Sequence, residues 1–340
     1  MALVKELILR KNEIKVTIET IYFGGGTPSL LSIKELNLLL QTIFDNYKVI
    51  ENPEITLEAN PDDLSDKKII ALANTDVNRL SIGVQSFFND DLKFMNRAHT
   101  AEEAYHSLKT ASKYFDNISI DLIYGTPNFS KGKWKKNLQK TFDLGINHIS
   151  SYALTVETKT ALHQFIKNGK VKPLDEELAL QHFEILLEET AKNNFIQYET
   201  SNFGKQGFFS KHNTSYWLGK PYLGIGPSAH SFNGKERSWN IKNNIKYIKA
   251  LKKDEIPQEI EILSINNLFN ETIMIGLRTI WGISLNEIEN KFGKEKKDYL
   301  LNKIKIHLNN KTLSINNNCI IATQKGKFLI DGIASDLFLI

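Results

Sequence analysis

Apolar, β-rich runs recur along the first half of the chain at residues 18–23, 54–57, 77–82, 117–123 and 147–153. Between them, residues 33–47, 65–74, 101–114 and 131–144 carry apolar positions at helical spacing. Strands alternating with helices predict parallel βαβ crossovers, and near-continuous apolar strands predict burial on both faces. An amphipathic helix opens the chain at 2–12, ahead of the first strand pattern. A parallel α/β layer ordinarily starts with a strand. The pattern therefore predicts a partial parallel (β/α) barrel whose first strand is missing, with 18–23 as an apolar sheet edge prone to recruiting other chains.

Further along, 175–193 reads as a long amphipathic helix and 198–209 as the start of an irregular, lid-like region. A second unit is expected from near Pro257, with helices at 265–279, 285–292 and 294–308. Two short strands at 312–315 and 319–322, turned by Asn316-Asn317-Asn318, precede a last helix opened by Thr323-Gln324-Lys325-Gly326. Helices followed by a small hairpin predict a winged-helix-like α+β domain. The expected division is 1–235 for the barrel and 236–340 for the C-terminal domain.

Composition narrows the function classes. At 340 residues, one large domain plus a smaller one is the default. A hydrophobic content of 41% comes without any run approaching a membrane span, and no signal peptide pattern opens the chain, so a cytoplasmic protein is expected. The net charge of +4 comes from lysines scattered among Asn and Glu, which argues against nucleic-acid binding. The single cysteine, Cys319, excludes an intramolecular disulfide and an all-cysteine metal site, and its apolar neighbours suggest a core thiol.

Candidate chemistry sits at successive strand ends, where parallel α/β scaffolds bind ligands. The first strand runs into Gly24-Gly25-Gly26-Thr27-Pro28, which strips every Cβ from a stretch of backbone. The second ends in Leu57-Glu58-Ala59-Asn60-Pro61 and the third in Gly83-Val84-Gln85-Ser86-Phe87. The fourth carries Asp121-Leu122-Ile123-Tyr124-Gly125, and the fifth ends Ser151-Tyr152-Ala153. Taken singly, Glu58 and Gln85 could cap the next helix and Asp121 could bond neighbouring backbone. Five polar rim features in five successive units point together to one ligand.

These segments, with Asn96-Arg97-Ala98-His99 and Gly226-Pro227-Ser228-Ala229-His230, resemble the radical S-adenosylmethionine (SAM) superfamily. The similarity lies in the branch that holds oxygen-independent coproporphyrinogen III oxidase and haem chaperones of the HemW type. The resemblance implies that Gly25, Gly26 and Thr27 lie along the methionine part of SAM. It implies that Glu58 meets the methionine amino group and Arg97 its carboxylate. Gln85 and Asp121 are implied to bond the ribose, and Ala153 and His230 to line the adenine side. A zwitterion needs one acid and one base, and a ribose needs hydrogen-bonding acceptors, so the residue types agree.

One departure matters. In the family a Cys-x-x-x-Cys-x-x-Cys loop after the first strand binds a 4Fe–4S cluster that activates SAM. No cysteine precedes Cys319 here, and a lone thiolate cannot hold such a cluster. The chain is expected to be either truncated at its N-terminus, the favoured reading, or a cluster-less member. In both cases it is not expected to cleave SAM, and the cluster becomes a cofactor only if an upstream segment is restored.

Lys211-His212-Asn213-Thr214-Ser215-Tyr216-Trp217 resembles the haem-associated signature of HemW-type proteins. It implies haem binding by His212, Asn213, Tyr216 and Trp217, with His212 as a candidate iron ligand and Phe232 and Trp239 extending the surface. Three readings stay open. The first is a haem chaperone that passes haem to an acceptor protein, which could be membrane-associated; the second is an oxidoreductase acting on coproporphyrinogen; the third is an inactive fragment.

Overall fold

The computed structural model describes residues 1–127 and 129–339. The strands are β1 (Ile18–Phe23), β2 (Val49–Ala59), β3 (Arg79–Gln85), β4 (Asn117–Tyr124), β5 (His148–Ala153), β6 (Ile196–Gln197) and β7 (Asn202–Gly204). They form one sheet in the order β1-β2-β3-β4-β5-β7-β6, with β2 to β5 paired in parallel and β7 and β6 antiparallel. The first seven helices are α1 (Ala2–Leu9), α2 (Ile33–Asn46), α3 (Asp66–Ala73), α4 (Asn89–Phe94), α5 (Ala101–Ala111), α6 (Lys131–Asp143) and α7 (Ala161–Lys167). Next come α8 (Glu176–Lys192), α9 (Lys211–Trp217), α10 (Asn244–Lys252) and α11 (Ile265–Leu277). The architecture is the expected α/β partial parallel barrel, followed by a small α+β C-terminal domain. No helix among the described residues is long and apolar enough to cross a membrane.

Two compact units share the chain: Met1–Thr20, Lys34–Pro53 and Lys211–Ile340 form one, and Ile21–Ile33 with Glu54–Ser210 forms the other. They are interleaved in sequence, whereas the sequence reading divides the chain at 235/236, a point between paired strands of the sheet described next.

In the first unit, β8 (His230–Phe232), β9 (Glu236–Asn240) and β10 (Gln258–Ile262) make a three-stranded antiparallel sheet. The C-terminal part adds β11 (Ile283–Ser284), β12 (Leu313–Asn316) and β13 (Cys319–Ala322), ordered β11-β13-β12. Phe269, Ile273 and Leu277, one turn apart on α11, close a core with Ile288, Leu300, Ile304, Ile320 and Ile333.

In the second unit the strands alternate. Leu57, Leu80, Ile82, Ile120, Leu122 and Ile149 are fully buried on one face. The other face carries Thr56 and Glu58, Arg79 and Ser81, Ser119 and Asp121, His148 and Ser150. Most of this second face is buried too, as the near-continuous runs predict, but its side chains are polar.

Other expectations also change. The segment 198–209 is not a loose lid, because β7 within it extends the sheet beyond β5. The unit expected from Pro257 starts later, since β10 pairs with β9. The helix expected over 294–308 breaks at Ile304 into Lys294–Lys303 and Lys305–Asn309. β2 begins at Val49, five residues before the apolar run, because its first half is mostly exposed and reads as polar.

Candidate functional site

In the second unit, β1 delivers Tyr22 and then the glycine loop. The Tyr22 hydroxyl donates to Glu58 Oε1 at 2.7 Å, and the Gly25 N–H donates to Glu58 Oε2 at 3.1 Å. Burial first, and the Glu58 carboxylate second, hold the Tyr22 phenol protonated far beyond its ordinary range. Gly25 and Gly26 have φ of +74° and +66°, a conformation that glycine takes without strain. A Cβ built on either would meet nothing within 4 Å, so the two face open space. Gly24 differs: its Cβ would lie 2.6 Å from the Tyr22 ring. The triplet thus combines one position closed by contact with two that leave bare backbone facing outward, and Thr27 follows at its end, half-buried.

β3 ends on a bulge. Its register with β4 shifts between Ile82 and Gln85, and Gln85 has φ of +67°. A buried non-glycine residue in the left-handed region is strained, and such strain collects at ligand sites. The Gln85 side-chain amide has no partner among the described residues. Arg97 is exposed, and its guanidinium likewise meets no hydrogen bond or ion pair among the described residues. The loop carrying it is pinned by buried His99, whose Nε2 lies 3.1 Å from the Val84 carbonyl oxygen.

Asp121 faces the same rim. Its carboxyl is pushed up to about 7, chiefly by burial and then by the Glu58 carboxylate, with Ser150, Arg79 and Arg97 pulling the other way. Ala153 ends β5, half-buried, in register with Tyr124. Beneath the rim runs a buried polar network that sequence reasoning missed. His148, fully buried, contacts Ser119 Oγ through Nδ1 at 2.6 Å and Tyr198 Oη through Nε2 at 2.8 Å. Burial, and then Arg79, hold its imidazole neutral, well below its ordinary range. The Ser150 hydroxyl donates to Asn202 Oδ1 at 2.7 Å. Buried Arg79 Nε and Thr56 Oγ1 find no partner among the described residues.

The rim fits SAM. Acid, cation, amide and bare backbone are brought together in one unit, with Arg97 and Gln85 open. His230 is not in that unit: it is exposed on β8, with its ring 6.1 Å from Trp239. A 4Fe–4S cluster does not fit these 340 residues. Cys319 stands alone on β13, and among the described residues no group of three or more His, Cys, Asp or Glu side chains could hold a metal ion.

The haem-motif residues lie in the first unit, on α9. His212 Nε2 is 3.0 Å from Tyr216 Oη, one turn along the helix, and Nδ1 is 2.9 Å from Thr20 Oγ1. The two rings stand edge-on with centroids 4.8 Å apart, and Tyr222 continues the row 4.6 Å beyond Tyr216. Phe232 follows at 6.2 Å from Tyr222, so this part of the expected aromatic surface is continuous, whereas Trp239 stacks beside His230. Asn213 is half-buried, and Trp217 lies beneath the Arg278 guanidinium, 6.0 Å from its ring centroid. Tyr22 and Thr20, which hold Glu58 and His212, carry no motif of their own; only their place in the strand ahead of the glycines hints at them.

Similarity to known proteins follows the same outline. The Radical SAM superfamily matches residues 2–141, and the HemN C-terminal domain matches 263–329. Heme chaperone HemW of Lactococcus lactis subsp. lactis is 35% identical over 331 residues, 93% of this chain and 86% of that protein. Heme chaperone HemW of Bacillus subtilis is 33% identical, over 92% of this chain and 83% of that protein. Among solved structures, coproporphyrinogen III oxidase (HemN) from Escherichia coli superposes with a TM-score of 0.84 at 20% identity. That superposition covers 99% of this chain and 82% of the enzyme.

Proposed function

Because the chain belongs to the HemW-like family of radical SAM proteins, we propose that it is a haem chaperone, binding haem at α9 and passing it to an acceptor protein. The observation that carries this reading is the His212–Tyr216 pair on one turn of a partly exposed helix, with Tyr222 and Phe232 extending an aromatic row beside it. Imidazole supplies an iron ligand, while Tyr216 and Trp217 supply flat faces for a porphyrin. Asn213 lies beside His212 on the same helix.

SAM is the second ligand of the reading. Gly25, Gly26 and Thr27 would carry its methionine part, Glu58 and Arg97 its charged ends, Gln85 and Asp121 its ribose, and Ala153 its adenine side. Bound there, SAM would supply a sulfonium group. Glu58 is oriented for this in advance by Tyr22 and Gly25, and Arg97 supplies the opposite charge. The oxidoreductase alternative is the weaker reading, because the His212-Asn213…Tyr216-Trp217 motif favours haem binding while the SAM rim is neutral between the two.

The test is a titration of ferric protoporphyrin IX into the full chain and into His212→Ala, followed at the Soret band. The expected result is a saturable, red-shifted band in the wild type and its loss in His212→Ala. Identical spectra and affinities in the two proteins remove His212 from the role.

A further inference from the structure

His212 is engaged at both ring nitrogens by hydroxyl groups of very different origin. Tyr216 is brought to Nε2 by the helix itself, four residues along. Thr20 comes to Nδ1 from β1, 192 residues away in sequence. A neutral imidazole has one N–H and one lone pair, so its two neighbours cannot play the same part. Resting on the haem reading above, we propose that Thr20 is a positioning residue accepting the Nδ1–H, and that the Tyr216 hydroxyl is a displaceable cap on the Nε2 lone pair, holding it until haem iron takes it.

Three observations carry this. First, a phenol is a stronger acid than an aliphatic alcohol, so Tyr216 is the better donor to a ring lone pair and Thr20 is left to accept. Second, the roles match what a haem ligand requires. Metal-bound histidines as a rule donate their other N–H to a nearby acceptor, which fixes tautomer and ring orientation. Thr20 is placed to do this before any iron arrives. Third, the cap can leave at little cost. Tyr216 is 41% exposed, so water can take its hydroxyl once the Nε2 contact is broken. The exchange balances: the Tyr216 hydroxyl keeps its proton, Nδ1–H stays on Thr20, and iron takes the lone pair that the cap releases. Its edge-on contact with Tyr222 holds the Tyr216 ring in place while the hydroxyl changes partner.

The experiment compares wild type with Thr20→Ser, Thr20→Val, Tyr216→Phe and His212→Ala, each as the full chain and each checked for a native thermal melt. Ferric protoporphyrin IX is titrated at the Soret band, and the iron–histidine stretch of the reduced complex is read by resonance Raman. Thr20→Val is expected to bind about tenfold more weakly with a lowered iron–histidine frequency. Thr20→Ser restores both to wild-type values. Tyr216→Phe is expected to bind about threefold to tenfold more tightly, with faster association, because no hydroxyl has to leave. Weaker or unchanged binding in Tyr216→Phe overturns the cap, and an unchanged frequency in Thr20→Val overturns the positioning role. If His212→Ala keeps the wild-type spectrum, the haem reading itself fails. If His212→Ala loses the histidine signature while the Thr20 and Tyr216 variants match wild type, only this inference fails.

Discussion

The carboxylate of Glu6 on α1 and the group around Glu58 and Asp121 are both polar clusters within the fold, yet they are built in opposite ways. Glu6 is fully buried and every lone pair is answered. Oε1 accepts from Arg10 Nη1 at 3.0 Å and Asn240 Nδ2 at 2.6 Å, and Oε2 accepts from the Gly226 N–H at 2.8 Å and the Tyr247 hydroxyl. Arg10 in turn bonds Glu13 and the Gly224 carbonyl. Around Glu58 and Asp121, by contrast, Arg97 and Gln85 have no partner among the described residues, one carboxyl is forced toward its protonated form, and two glycines face open space. A closed network fixes the segment it touches, here 224–231. An open one keeps binding capacity that a ligand can use.

That contrast is broken or sharpened by three measurements. The largest effect is expected from Glu6→Ala, which leaves the Arg10 guanidinium buried with one partner fewer. A loss of about 3–5 kcal/mol of stability should appear in urea denaturation, whereas Arg97→Ala should change stability by less than about 0.5 kcal/mol. A Glu6→Ala protein as stable as wild type would show that the closed network is not structural. The second effect runs the other way: Arg97→Ala should weaken SAM binding by about tenfold to a hundredfold in calorimetry, while haem titration is unchanged. Unaltered SAM affinity would remove Arg97 from the rim.

The third effect is the pH dependence at Asp121. Its carboxyl moves from an ordinary 3.8 to about 7 in the folded chain. Between those values the folded chain binds a proton that the unfolded chain has lost. This contribution to stability is therefore present at low pH and fades as pH rises through about 7. Asp121→Asn cannot ionise, so its melting temperature should rise relative to wild type between pH 5 and pH 8. A difference that is the same at both pH values would contradict the burial of the Asp121 charge.

Much of this was legible in the sequence because parallel strands and their helices announce themselves by period. The runs at 18–23 and 117–123 and the helix at 285–292 fall within a residue of the observed elements. The rim residues were legible as well, since Gly24-Gly25-Gly26, Glu58, Gln85 and Asp121 interrupt apolar runs at strand ends. What escaped was what depends on partners far away. β9, spelled Glu-Arg-Ser-Trp-Asn, has no apolar period and is a strand only because β8 and β10 flank it. The polar inner face of β3 to β5 was hidden in runs that look apolar, because Ser119, His148 and Ser150 satisfy one another across strands. Helix α9 has seven residues, too few to show a period.

Three of the four donors to Glu6 also set an order of events. They lie 220, 234 and 241 residues further along the chain. A ribosome has thus added 234 residues beyond Glu6 before Asn240, the second side-chain partner of that carboxylate, exists. Until Tyr247 emerges, α1 carries an acid that has no folded place to go, and it waits in water. By contrast, His148, Ser119, Ser150, Tyr198 and Asn202 find one another within residues 54–210. Helix α1 is made before its partners and fixed only after them.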